Sequence, residues 1–216
     1  MIDQAEIHQK ANSNRLEDRQ EAADLFINFF SELPDKVEAY QDLHRLTQDE
    51  ESNVRETTAN VLGIAFSFFP NKELAWNDLD SLIQDDDYDV QYSATKALEQ
   101  AFPYVPDKLK AWLDLEWLTD RIDYEVRRAA AEAYGSTFVY MPDEDKPYAW
   151  SRIVSETERQ DDDVRIGALK SMVLAFPHVT DKEKAWQDLH RLTHNEDNDV
   201  RMYAYYTLGK ASVYRA

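Results

Sequence analysis

The chain has 216 residues, 43% hydrophobic and 31% charged, with no cysteine and a net charge of −19 from 43 acidic and 24 basic side chains. This composition supports a sizeable core. It excludes disulfides, thiolate catalysis and cysteine-based zinc sites, and it points by default to the cytoplasm. The acidity opposes binding to nucleic acid or anionic membranes, whose usual partners neutralise phosphate with Lys and Arg; a basic or amphipathic protein or peptide fits better. No window approaches the roughly 18 apolar residues of a membrane span. The first twenty residues lack the basic and apolar segments of a signal peptide.

From the N-terminus onward the chain writes one unit six times. The pair that opens the second helix of each unit is Asp18-Arg19, Val54-Arg55, Val90-Gln91, Val126-Arg127, Val164-Arg165 and Val200-Arg201, at intervals of 36, 36, 36, 38 and 36. The aromatic of the first helix (Tyr40, Trp76, Trp112, Trp150, Trp186) keeps the same intervals, with the same exception. The two extra residues fall within Met141–Trp150, in a connecting turn, where added length costs little. Repeat boundaries fall near 1–34, 35–70, 71–106, 107–142, 143–180 and 181–216, with no linker, so the reading is one repeat domain over 1–216.

Each unit reads as helix, acidic turn, helix, proline-containing turn. Trp76, Leu79, Leu82 and Ile83 recur at helical spacing in one first helix; Val90, Ala94, Ala97, Leu98, Ala101 and Phe102 do so in the helix after it. Pro34, Pro70, Pro106 and Pro142 stop the chain. An acid stands three residues before each Val-type position (Glu51, Asp87, Asp123, Asp161, Asp197), placed to cap the second helix. These turns lack the glycine and the length of a calcium-binding loop. A lone hairpin cannot bury its apolar face, so neighbours must stack. The expected fold is an all-α, right-handed solenoid.

The unit resembles the HEAT-repeat family in its short, bilin-lyase-type form. The resemblance rests on Asn53–Ala65 (NVRETTANVLGIA), Tyr124–Ser136 (YEVRRAAAEAYGS) and Asp199–Ala211 (DVRMYAYYTLGKA), and it covers essentially the whole chain. The wording of 176–201 is also similar to HEAT-like repeat proteins of methanogenic archaea. The resemblance implies right-handed stacking of α-hairpins and a protein-binding scaffold. It also implies a ladder between turn aspartates and the Arg after Val, with Gln91 weakening that ladder at the third repeat. Metal-hydroxylase members use His-Glu dipeptides, and no His here precedes Glu. Glycosylase members need a basic concave face. A bilin-lyase-like role would need a tetrapyrrole pocket, for which the sequence has no signature.

Other constellations read as structure. His8, His44 and His190 share a column that continues as Asp80, Glu116 and Val154, and an exposed polar column explains it better than a shared metal. The Trp column reads as inter-repeat packing, and Trp117 lies off it, partly exposed. Glu156 breaks a column of Leu46, Leu82, Leu118 and Leu192, and the polar helix around it suggests local exposure. No catalytic residues, metal ligands or cofactor are assigned. The expected function is a non-enzymatic protein- or peptide-binding scaffold; an enzyme or accessory of the bilin-lyase or metal-hydroxylase kind is the alternative.

Function is expected where the repeats differ. Two and six residues after the Val position, the second helices carry Tyr92, Lys96, Arg128, Ile166, Lys170, Met202 and Tyr206. Large apolar groups beside cations are what binding hot spots use. In solenoids the second helices usually line the concave surface. The first repeat is polar, as a cap should be. The last helix carries Tyr203, Tyr205, Tyr206 and Tyr214, which raises self-association through that helix.

Overall fold

A computed structural model of the chain describes residues 3–211. Twelve α-helices, paired as six hairpins, are found among the described residues: α1 Gln4–Ala11, α2 Leu16–Phe29, α3 Lys36–Leu46, α4 Ser52–Ala65, α5 Lys72–Ile83, α6 Tyr88–Ala101, α7 Lys108–Leu118, α8 Tyr124–Thr137, α9 Lys146–Glu156, α10 Asp162–Ala175, α11 Lys182–Leu192 and α12 Asn198–Ala211. No strand occurs among these residues. The fold class is an all-α solenoid of helical hairpins. The hairpins group into two compact units, Met1–Pro106 and Asp107–Ala216, with three hairpins stacked in each. Tyr214 lies outside the described residues.

Local chemistry sets the helix ends. Asp3, Asp35, Asn71, Asp107 and Asp181 each accept a first-turn amide at the start of a first helix. Asp87, Asp123 and Asp161 do so for second helices, and Asp197 accepts from Asp199 N and Val200 N. Glu51 corrects the expected pattern. It makes no side-chain cap, because its extra methylene suits the Asx geometry poorly; Asp49 Oδ1 instead accepts the Glu51 amide at 3.1 Å. A 3₁₀ turn that the sequence pattern did not reveal follows five of the second helices. Each opens on a buried phenylalanine: Phe30, Phe66, Phe102, Phe138 and Phe176. The two-residue insertion lies before α9, where Asp145 provides no side-chain cap and Pro147 enters the first turn.

The hairpins stack by different means on their two sides. First helices carry large aromatics, and Tyr40, Trp76, Trp112 and Trp150 are all buried. Second helices meet through small residues. A Cβ added at Gly63 would sit 2.7 Å from the Ala97 Cα, one at Gly135 2.6 Å from the Ser171 Cα, and one at Gly167 2.7 Å from the Ala131 Cβ. Thus α4 against α6, and α8 against α10, are backbone-close contacts. Ser171 Oγ locks the second of these, accepting from Gly135 N at 2.9 Å and donating to Ala131 O at 2.6 Å.

Because Gly63 faces backbone rather than a yielding side chain, Gly63→Val should destabilise the chain by about 2–3 kcal/mol through overpacking. Urea unfolding measures this, and an unchanged midpoint would show that α4 and α6 have room to separate.

Candidate functional site

The seven expected surface residues fall on four second helices. In the first unit, Tyr92 is 39% exposed, and half-buried Lys96 is ion-paired with Glu99 one turn on. The other five share the second unit. Arg128 on α8 and Lys170 on α10 converge on Glu132, with Nε to Oε1 at 3.3 Å and Nζ to Oε1 at 2.6 Å. Partial burial pushes the Glu132 carboxyl up, but hydrogen bonds from Lys170 and Arg128 hold it below the ordinary range. Two cations share one carboxylate, so the cluster keeps one net positive charge. Ile166 is half-buried one turn before Lys170. Met202 and Tyr206 on α12 are 54% and 51% exposed and, with Tyr203, line an open depression of about 380 Å³. The second unit thus offers a face with a partly compensated cationic centre and an apolar end.

The sequence reading missed a column of buried aspartates that join hairpins. Asp42, Asp78 and Asp188, each just before a core leucine, are only 5%, 6% and 8% exposed. Asp42 binds His8 Nδ1 at 3.0 Å and Asn12 Nδ2 at 2.9 Å. Asp78 accepts from the Tyr40 hydroxyl at 2.5 Å and binds His44 Nδ1 at 2.7 Å. Asp188 accepts from Trp150 Nε1 at 3.0 Å and pairs with Lys184. The donors sit on the preceding hairpin's first helix or, for Asn12, at its C-terminal cap, apart from Lys184, which lies one turn before Asp188. His8 and His44 are exposed, as expected of their column, but each is committed to a different carboxylate. Among the described residues no group of three or more metal-capable side chains converges. The Asp-Leu step recurring in the first helices was the available signal.

Arg152 occupies this aspartate column in the fifth repeat, and the junction around it is charge-inverted. Glu156, expected to be locally exposed, is 1% exposed. Its carboxylate pairs with Arg152 Nη2 at 2.6 Å and Arg159 Nη1 at 3.1 Å. Glu116, in the histidine column, lies 3.3 Å from Arg152 Nε and accepts from the Tyr148 hydroxyl at 2.5 Å. Arg159 also reaches Asp120 at 2.7 Å. With a cation where neighbouring junctions have an anion, the counter-charge must come from an adjacent column, and a leucine position supplies it. Trp112 Nε1 and the Tyr134 hydroxyl are buried without a well-formed hydrogen bond, although the two rings stack at 4.9 Å. Burial raises the Tyr134 phenol well above its ordinary value, so it stays neutral.

The arginine ladder changes partner between units. Arg19 holds Asp49 at 2.6 and 3.0 Å, and Arg55 holds Asp85 at 2.7 and 2.9 Å. The same acceptor column reads Arg121, Arg159 and Asn195 further on. Arg127 and Arg165 turn instead to the capping aspartates Asp161 and Asp197, at 3.0 and 3.5 Å. Gln91 makes no such bridge and donates to the Asp85 carbonyl of its own turn at 2.6 Å.

No family model matches the chain, and no curated protein matches it in sequence. Solved structures do match. An engineered protein from the Northeast Structural Genomics Consortium aligns at a TM-score of 0.63 and 20% identity, over 98% of this chain and 98% of that one. A second engineered protein from the same source gives 0.62 and 20%, over 97% and 98%. Kap121p gives 0.70 and 15% identity over 94% of this chain, which spans 22% of Kap121p. What these proteins share with the chain is the fold. That fold is a helical-repeat solenoid.

Two outcomes follow at the inverted junction. Glu156→Leu restores the column's residue yet removes the buried carboxylate that two guanidinium groups share, leaving Arg152 only Glu116 and Arg159 only Asp120, so it should cost about 3 kcal/mol, as breaking a buried pair does. The triple variant Glu116→His, Arg152→Asp, Glu156→Leu rewrites the junction as His44, Asp78 and Leu82 have it and should recover most of that loss in thermal unfolding. An additive triple variant, worse than the single, would refute the compensation. The pH dependence is the second check. Burial lifts the Glu156 carboxyl above its ordinary 4.5, and Arg152 and Arg159 only partly offset this. A raised folded-state pKa adds stability below pH 4.5 that is lost as pH rises through the folded value. The stability of the wild type relative to Glu156→Gln should therefore fall between mildly acidic and neutral pH; a gain over that range would reverse the assignment.

Proposed function

We propose that the chain is a HEAT-like, non-enzymatic scaffold that binds a protein or peptide on its second-helix face, chiefly on α8, α10 and α12 of the second unit. The helical-repeat fold supports a scaffold in general. One observation carries the finer reading: Ile166, Met202 and Tyr206 present apolar surface on consecutive second helices, beside an Arg128–Glu132–Lys170 cluster that keeps one net positive charge. An amphipathic segment that sets its apolar side on these residues and a carboxylate against the cluster docks there without stranding a charge, which is the arrangement that makes a patch a hot spot rather than a penalty. With a net charge of −19 on the chain, a basic or amphipathic partner is attracted at long range, so association should weaken with salt. Tyr92 and Lys96 mark the corresponding face of the first unit as a separate contact surface.

Ile166→Ala, Met202→Ala and Tyr206→Ala together should weaken partner binding at least tenfold, since hot-spot truncations each cost more than about 1 kcal/mol. The comparison is affinity capture from the source cells with quantitative mass spectrometry. Leu113→Ala with Trp117→Ala, on a first helix, serves as control. Retention of the same partners by the second-helix variant, with its circular dichroism unchanged, would refute this face.

A further inference from the structure

We infer that the cavity between the first helices α9 and α11 binds a small carboxylic acid with an apolar body. The cavity measures about 200 Å³ and lies within the second unit. Pro147, Trp150, Val154 and Val179 give it apolar walls, and Lys146 and Lys184 line it from the two helices. It belongs to the first helices and the turn between hairpins, whereas Ile166, Met202 and Tyr206 lie on second helices.

A missing bridge leaves this space. Val154 stands in the column of His8, His44 and Glu116. Those three cross their junctions to Asp42, Asp78 and Arg152. A valine is too short to cross and has no polar atom. Asp188 therefore takes its second partner, Lys184, from its own helix, beside Trp150 Nε1 of the preceding hairpin. Ser151 widens the gap, in a column that reads Gln41 and Leu113 elsewhere.

Charge selects the occupant. Lys184 Nζ meets Asp188, and the lysine side chain is 60% exposed. Lys146 Nζ pairs at 2.7 Å with Asp143, an exposed carboxylate that holds a cation weakly. An ammonium has three donors, so each lysine keeps donors for a further acceptor. The acids on the wall are committed, Asp188 to Trp150 and Lys184, and Asp181 to the Lys184 amide at 2.9 Å. A ligand cation would have to displace Lys184 and face two like charges. Next to the cavity, His178 senses the same field: burial first, then Lys146 and Lys182, hold its imidazole below the ordinary value. The local field is positive although the chain carries −19. A carboxylate reaching Lys146 and Lys184, with its apolar body on Val154 and Val179, answers both the charge and the walls. The volume is below the roughly 300–1,000 Å³ of sites for drug-sized ligands, so one ring and a short acid arm suit it.

The probe is 3-phenylpropionate, titrated into the full chain and followed by NMR at the Trp150 indole N–H. It should shift that resonance with a Kd on the order of 1 mM, as a ligand of this size allows. The amine of the same body, 3-phenylpropylamine, should bind about tenfold or more weakly, because it meets like charge. Lys146→Met with Lys184→Met should remove the preference for the acid. Val154→Phe, which fills the cavity and changes no charge, should abolish the shift. The acid–amine comparison uses the wild type, so it decides the question even where a variant does not fold. A Trp150 resonance unmoved by the acid at about 10 mM, or an amine that binds as tightly as the acid, would overturn the inference. So would a natively folded Val154→Phe or double-lysine variant that binds as the wild type does. None of these changes alters the second-helix face.

Discussion

A buried carboxylate at the hairpin junction is the constraint around which the stacks are built. An isolated hairpin leaves one side of its apolar surface wet, so hairpins must stack, but apolar surface alone tolerates sliding. Asp42, Asp78 and Asp188 remove that tolerance. A carboxylate out of water is acceptable only when its oxygens are satisfied, and the donors that satisfy it come mainly from the previous hairpin. Only the native register aligns Tyr40 and His44 with Asp78, or Trp150 with Asp188. The small-residue contacts of Gly63 on Ala97 and Gly135 on Ser171 then set how closely the second helices approach.

The inverted junction shows that this rule concerns charge balance rather than residue identity. With Arg152 in the aspartate column, Glu156 enters a leucine column and Glu116 a histidine column. The result costs a hydrogen bond at Trp112, because an arginine cannot accept from an indole as Asp188 does from Trp150. Buried ionic groups of this kind can specify pairing at some expense in stability. Here the consequence is that the fourth and fifth hairpins fit each other and not their counterparts elsewhere in the array. The arginine ladder behaves the same way: its donors persist, and its acceptor moves from Asp49 and Asp85 to the capping aspartates where the first column turns basic or neutral.

Function is carried by positions released from these duties. Ile166, Met202 and Tyr206 share no repeat-to-repeat role, and their neighbours Arg128 and Lys170 share Glu132 and keep one net positive charge.

Much of this was legible in the residue order. The 36-residue period, the helix pairs, the aromatic core column and most of the aspartate caps follow from spacing, because a helical repeat must return each core side chain to the same face. The free variation at Tyr92, Arg128 and Met202 likewise marked solvent-facing positions. The 3₁₀ turns, the failed cap at Glu51 and the burial of Glu156 were not legible. Each depends on which atoms come within about 3 Å across a junction, and period alone does not contain that information. Asp78 reads as a surface acid on its own helix and becomes a buried acceptor only when the preceding hairpin brings Tyr40 and His44 to it. Glu156 reads as a polar intruder until Arg152 and Arg159 close over it. The sequence by itself determined the repeat and its helices, because those depend on neighbours along the chain. The tertiary structure alone decided which charges are buried and paired, because that depends on neighbours across it.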